Sequence, residues 1–158
     1  MFIFGHLGVG RKLAQPWSRS LPTIPLLLGM LLPDIIDKPL YYAEVADIFS
    51  CTRTFGHTLA LALVFLLVGL GSGKRAFTAI ALGMTTHVVL DCLVEGPGKD
   101  LWSSSWIAAW WPFFGWKFSR VHFTVSEHVG RLIVWPTLIG EAVGLALLGW
   151  DFRRRRAR

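Results

Sequence analysis

Four apolar stretches, covering residues 21–33, 58–71, 76–94 and 129–150, set the terms on which this chain can fold. A helix that crosses a bilayer needs roughly 20 mainly apolar residues, so the last two stretches qualify on length alone. The 58–71 run reaches that length if its helix starts near Thr52 and accepts Arg53 and His57 at its mouth. The 21–33 run is too short by itself and reads as half-inserted. Charged residues make up 16% of the 158, against about 25% in an ordinary soluble domain. A soluble helical bundle is the competing reading, and it would be unusually poor in charge. Only two cysteines, Cys51 and Cys92, are present, which excludes a disulfide scaffold. They stand near the same outward end, where they could pair in an oxidising compartment, and read first as two unpaired thiols.

The net charge of +6 first suggests nucleic acid, but its distribution points elsewhere. Five of the sixteen basic residues are Arg153, Arg154, Arg155, Arg156 and Arg158, and without them the net charge is +1. No basic face runs through the body, so nucleic acid is not an expected partner. A basic tail behind an apolar segment reads as a membrane-flanking anchor. Arg11, Lys12 and Arg19 lie between the first two segments, and Lys74-Arg75 lies between the next two. Placing all three groups in the cytoplasm gives an even up-and-down topology with the C-terminal tail inside. The expectation is an all-α integral bundle of about four membrane-inserted helices in the inner membrane. Residues 1–152 form one embedded domain, and 153–158 form the tail. The outward 95–128 loop holds Trp102, Trp106, Trp110, Trp111 and Trp116, and reads as an interfacial anchor among lipid headgroups.

The scarce acids and histidines carry the chemistry. His87 and Asp91 stand four apart in an apolar run, on one helical face. Such groups are costly in a membrane and imply partners. From the 72–74 turn, His57 lies about 15 residues back, or about 22 Å of helix, while His87 and Asp91 lie about 18 and 24 Å forward. An antiparallel hairpin brings the three level. Around the basic turn at 15–20, His6 stands nine residues before and Asp34 fourteen after. His6, Asp34, His57, His87 and Asp91 therefore meet at the outward end as a candidate metal site. Imidazole suits zinc, and added carboxylates also admit manganese. The surplus of ligands fits one ion with an open position, or two ions bridged by Asp91. Asp37 reads as an orienting partner or a base, or as half of a surface ion pair with Lys38. Arg53, one helical turn before His57, reads as a phosphate holder or a headgroup anchor.

Gly-His-Leu-Gly-Val-Gly around His6, Leu32-Pro33-Asp34-Ile35-Ile36-Asp37-Lys38-Pro39, Arg53-Thr54-Phe55-Gly56-His57-Thr58, His87-Val88-Val89-Leu90-Asp91 and Trp111-Pro112-Phe113 follow in one order. Together they resemble the YdjM-type family of membrane-bound, predicted metal-dependent hydrolases. The resemblance covers about residues 1–120 and implies His6, Asp34, His57, His87 and Asp91 as metal ligands, with Asp37 and Arg53 as accompanying positions. The pattern is also similar, more remotely, to zinc-dependent phospholipase C and P1 nuclease. The chain departs from the family where Thr52 and Gly56 replace a histidine and a threonine. Its acidic motif carries one extra residue between Asp34 and Asp37. The implied activity is hydrolysis of a phosphoester, including a lipid one, at the outer membrane boundary. The alternative is a non-enzymatic membrane protein that binds or transports metal. His122, Glu127 and His128 are expected to face the interface.

Overall fold

The computed structural model describes residues 3–43, 51–94, 104–118 and 135–156, and among them every regular element is a helix. These are α1 (Ile3–Ala14), α2 (Thr23–Tyr42), a 3₁₀ turn (Phe55–His57), α3 (Leu59–Ser72), α4 (Arg75–Val94), α5 (Ser104–Ala109) and α6 (Trp135–Arg156). The all-helical expectation holds. Of these helices, α4 alone is both long and apolar enough to cross a bilayer.

The boundaries of α2 and α3 differ from expectation. α2 does not stop at Pro33 but runs 20 residues through Pro33 and Pro39. Each proline removes a rung of the backbone ladder without ending the helix. Asp34 and Asp37 therefore lie inside a helix and cap nothing. α3 does not begin near Thr52. Thr58 is its N-cap, with a side-chain oxygen accepting the Leu61 amide at 3.0 Å. That leaves α3 at 14 residues, short of a full span. At its other end Gly73, with φ of 67°, supplies the left-handed cap that turns the chain into α4.

Small residues let apolar helices approach backbone to backbone. α2 crosses α4 at Gly29 and Gly83. A Cβ on Gly83 would sit 2.8 Å from the Met30 amide nitrogen and 2.9 Å from the Gly29 carbonyl carbon. α1 crosses α6 at Gly8 and Gly144, where a Cβ on either would fall on the facing backbone. Glu141 on α6 accepts the Phe4 and Gly5 amides at 2.9 and 3.0 Å, satisfying donors at the open N-terminus of α1. Further along the same pair, Asp151 meets Lys12 and Arg11. α1 and α6 therefore run parallel, and Arg11, Lys12, Arg19 and Arg154 gather at one end of the bundle. The outer face of α3 exposes Leu63, Val64, Leu67 and Leu70, each more than half accessible. An apolar stripe of that kind suits acyl chains far better than water.

Candidate metal centre

At the end of the bundle opposite the arginines, α1, α2, α4 and the 3₁₀ turn bring five side chains together. His6 and His87 stack, with ring centroids 3.9 Å apart and planes within 13°, and His57 sits edge-on to His87 at 5.1 Å. All three rings are at most 2% exposed. The Nε2 atoms of His87 and His57 are 3.3 Å apart. His6 Nε2 lies 3.3 Å from Asp91 Oδ1, and His57 Nε2 lies 3.5 Å from Asp34 Oδ1 and 3.7 Å from Asp91 Oδ2. Two ligand trios, His6–His87–Asp91 and Asp34–His57–His87, each have donor atoms within 4.8 Å of one another and share His87. The five residues expected to converge do so. The helical depth estimate for His57 survives the shortened α3, because the 3₁₀ turn keeps it level with His87.

The far nitrogens are fixed by partners of their own. His87 Nδ1 meets the Met30 carbonyl of α2 at 2.6 Å. His57 Nδ1 meets Asp37 Oδ2 at 2.7 Å. Each ring thus presents Nε2 to the centre, the arrangement that orients metal-ligating imidazoles. His6 completes the set differently. Its Nε2 faces Asp91 Oδ1 at 3.3 Å without forming a hydrogen bond, and its buried Nδ1 has no hydrogen-bond partner among the described residues. A buried nitrogen left so is costly and calls for a partner. The underused imidazole and the mixed nitrogen and carboxylate donor set fit a borderline divalent ion.

Asp37 is fully buried behind His57 and forms no surface ion pair. Its carboxylate accepts from the Thr54 amide at 2.6 Å, the Thr54 hydroxyl at 2.9 Å and the Gly56 amide at 2.9 Å, as well as meeting His57. Lys38 pairs with Asp34 Oδ2 at 2.7 Å instead, one helical turn away. For His57, outside the spanning helices, burial favours the neutral ring, and the carboxylates of Asp34 and Asp37 outweigh it. The protein groups together raise its pKa above the usual histidine value.

The chain matches the YdjM inner membrane protein family over residues 1–155. It belongs to that family. No curated protein and no solved structure matches it. Membership extends the resemblance read from residues 1–120 through α6, and it assigns the chain to an inner membrane protein family.

Two motif positions of this YdjM-family chain gain a physical explanation. Arg53 shares no helical face with His57, because the chain between them bends at Thr54 and is then 3₁₀. Its Nε instead donates to Asp91 Oδ2 at 2.8 Å, and Nη1 donates to Ser104 Oγ at 3.3 Å. Gly56 is packed so tightly that a Cβ would sit 2.6 Å from the Pro33 carbonyl oxygen, which leaves no room for the threonine the resemblance implies there. The departure therefore matches the local geometry. Thr54, Ser104 and the Met30 carbonyl had no signal of their own in the sequence. Only Thr54 lay within a recognised motif.

The aromatic segment divides in two. Trp106 packs on Val88, Cys92 and Ala109, and Trp111 packs edge-on to Phe55 and close to Phe118 beside the centre. Phe113 is 84% exposed, and Trp116, 75% exposed, touches Trp111 edge-on from outside. Part of the segment thus builds the wall of the site, and part remains available as an anchor. Cys51 and Cys92 are buried thiols with no disulfide between them. Glu95, Trp102, His122, Glu127 and His128 lie outside the described residues.

Proposed function

We propose that this chain is a metal-dependent hydrolase that cleaves a phosphoester, a lipid one included, at the extracytoplasmic boundary of the inner membrane. The observation that carries the reading is the convergence of His6, His57 and His87 with Asp34 and Asp91 in two buried ligand trios that share His87. His6, Asp34, His57, His87 and Asp91 hold one or two divalent ions, zinc before manganese. The ion, when bound, supplies Lewis acidity and activates water. Asp37 acts as a positioning residue, because its oxygens are already engaged by Thr54, Gly56 and His57. Asp34 and Arg53, whose side chains are 23% and 26% exposed, mark the edge at which substrate enters. Arg53 steadies Asp91 through Nε and reaches Ser104 through Nη1, and its positive charge at this edge favours a phosphate.

The topology proposed with this activity has about four inserted helices, all basic clusters in the cytoplasm and the tail inside. The parallel course of α1 and α6 and the gathering of arginines at one end support it. The reading as a metal transporter lacks a route, since residues 59–72 and 76–86 contain no charged side chain.

A panel of phospholipids and model phosphoesters, assayed with and without chelator, tests the proposal. Hydrolysis should fall about 100-fold or more on chelation and in Asp91→Asn, in line with loss of the metal's contribution. Activity undiminished in chelator, or full in Asp91→Asn, would sink it.

A further inference from the structure

The end of the bundle farthest from the metal centre holds a second, differently built cavity. It encloses about 320 Å³ and is lined by Arg11, Lys12, Arg19 and Arg154, with Asp151 the one acid in its wall among the described residues. Arg11 and Lys12 both meet that carboxylate, Arg11 at 3.4 Å. One carboxylate against four cations leaves the wall strongly positive. The Arg154 guanidinium lies 4.8 Å over the Trp150 ring, which holds it at the rim.

Leu21 lines this cavity and also lines a neighbouring groove of about 500 Å³. The groove runs between α3 and α4, with Trp17, Leu63, Leu66 and Leu82 in its walls, and its surface is almost entirely apolar. Trp17, 66% exposed, stands at the junction as an interfacial indole would. A ligand that fills both spaces must carry negative charge at one end and hydrocarbon at the other. Basic pockets between membrane helices on the cytoplasmic side take anionic lipid headgroups in just this way.

We infer that the cavity and the groove form one binding site for an anionic glycerophospholipid. The phosphate lies among Arg11, Lys12, Arg19 and Arg154, and one acyl chain lies in the α3–α4 groove. The site uses none of the metal-centre residues, so it stands whether or not the chain is a hydrolase.

Native mass spectrometry of the full chain from detergent micelles, titrated with phosphatidylglycerol, phosphatidylcholine or inorganic phosphate, tests this. Phosphatidylglycerol should bind as one saturable adduct, about tenfold or more tighter than phosphatidylcholine, whose choline meets a positive wall. Arg19 and Arg154 are exposed, so Arg19→Gln/Arg154→Gln should fold with unchanged helicity. It should bind phosphatidylglycerol about 25-fold more weakly, at about fivefold per basic residue. Equal binding of the two lipids overturns the inference, as does an unchanged affinity in the folded double variant. Displacement of phosphatidylglycerol by millimolar phosphate also overturns it, by showing a free-anion site. Should the double variant not fold, the contrast between the lipids on the native chain still decides.

Discussion

His87→Ala should purify with less than about a tenth of the divalent metal carried by the parent chain, because loss of a direct ligand exceeds the 10–100-fold cost of losing an outer partner. His87 is the one residue common to both ligand trios, so its removal damages both at once. Its ring is also held by the Met30 carbonyl and stacked on His6, which leaves no neighbour able to swing into its place. Alanine there also creates a buried void. Helicity measured beside metal content separates loss of ligand from loss of fold. A folded His87→Ala protein that keeps its metal would contradict the ligand assignment.

The largest effect on folding should come from Gly83→Leu. α2 and α4 approach so closely at this glycine that any side chain strikes the backbone of Leu26 and Gly29. Helices that pack through larger side chains stand up to about 2 Å farther apart than those that pack through small ones. Such a separation pulls Met30 away from His87, and takes His57, which Asp37 ties to α2, away from His87 as well, so packing and site fail together. We expect no monodisperse peak in detergent size-exclusion chromatography. Gly71→Leu is the matched control, because a Cβ at Gly71 meets nothing within 4 Å. There the change should be tolerated and should favour the helix by about 1 kcal/mol through propensity. A well-behaved Gly83→Leu protein would show that the α2–α4 contact does not govern the fold.

Much of the site was legible before the fold was known, for a simple physical reason. Charged and imidazole side chains are expensive in an apolar setting, so the few present at 6, 34, 57, 87 and 91 had to share a partner. The fixed rise of a helix then set their common level. The boundaries were harder to read. Pro33 looks like a stop signal, yet α2 continues through it, and the Met30 carbonyl one turn before it holds His87. Arg53 and His57 have helical spacing, yet Thr58 caps α3 after them and the intervening chain is not a helix. That moved Arg53 from a shared face to a direct contact with Asp91. Asp37 could not be ranked against Asp34 from spacing, since both follow Pro33 on one turn. Burial separates them: Asp37 faces the far side of His57, and Asp34 faces its metal-binding side.

Metal content of the purified, full-length protein, prepared without chelator and measured by elemental mass spectrometry, tests the central claim most directly. Convergence of His6, Asp34, His57, His87 and Asp91 in two trios that share His87 predicts at least one zinc or manganese per chain. Less than one equivalent of either, from folded protein supplied with both metals, would contradict it.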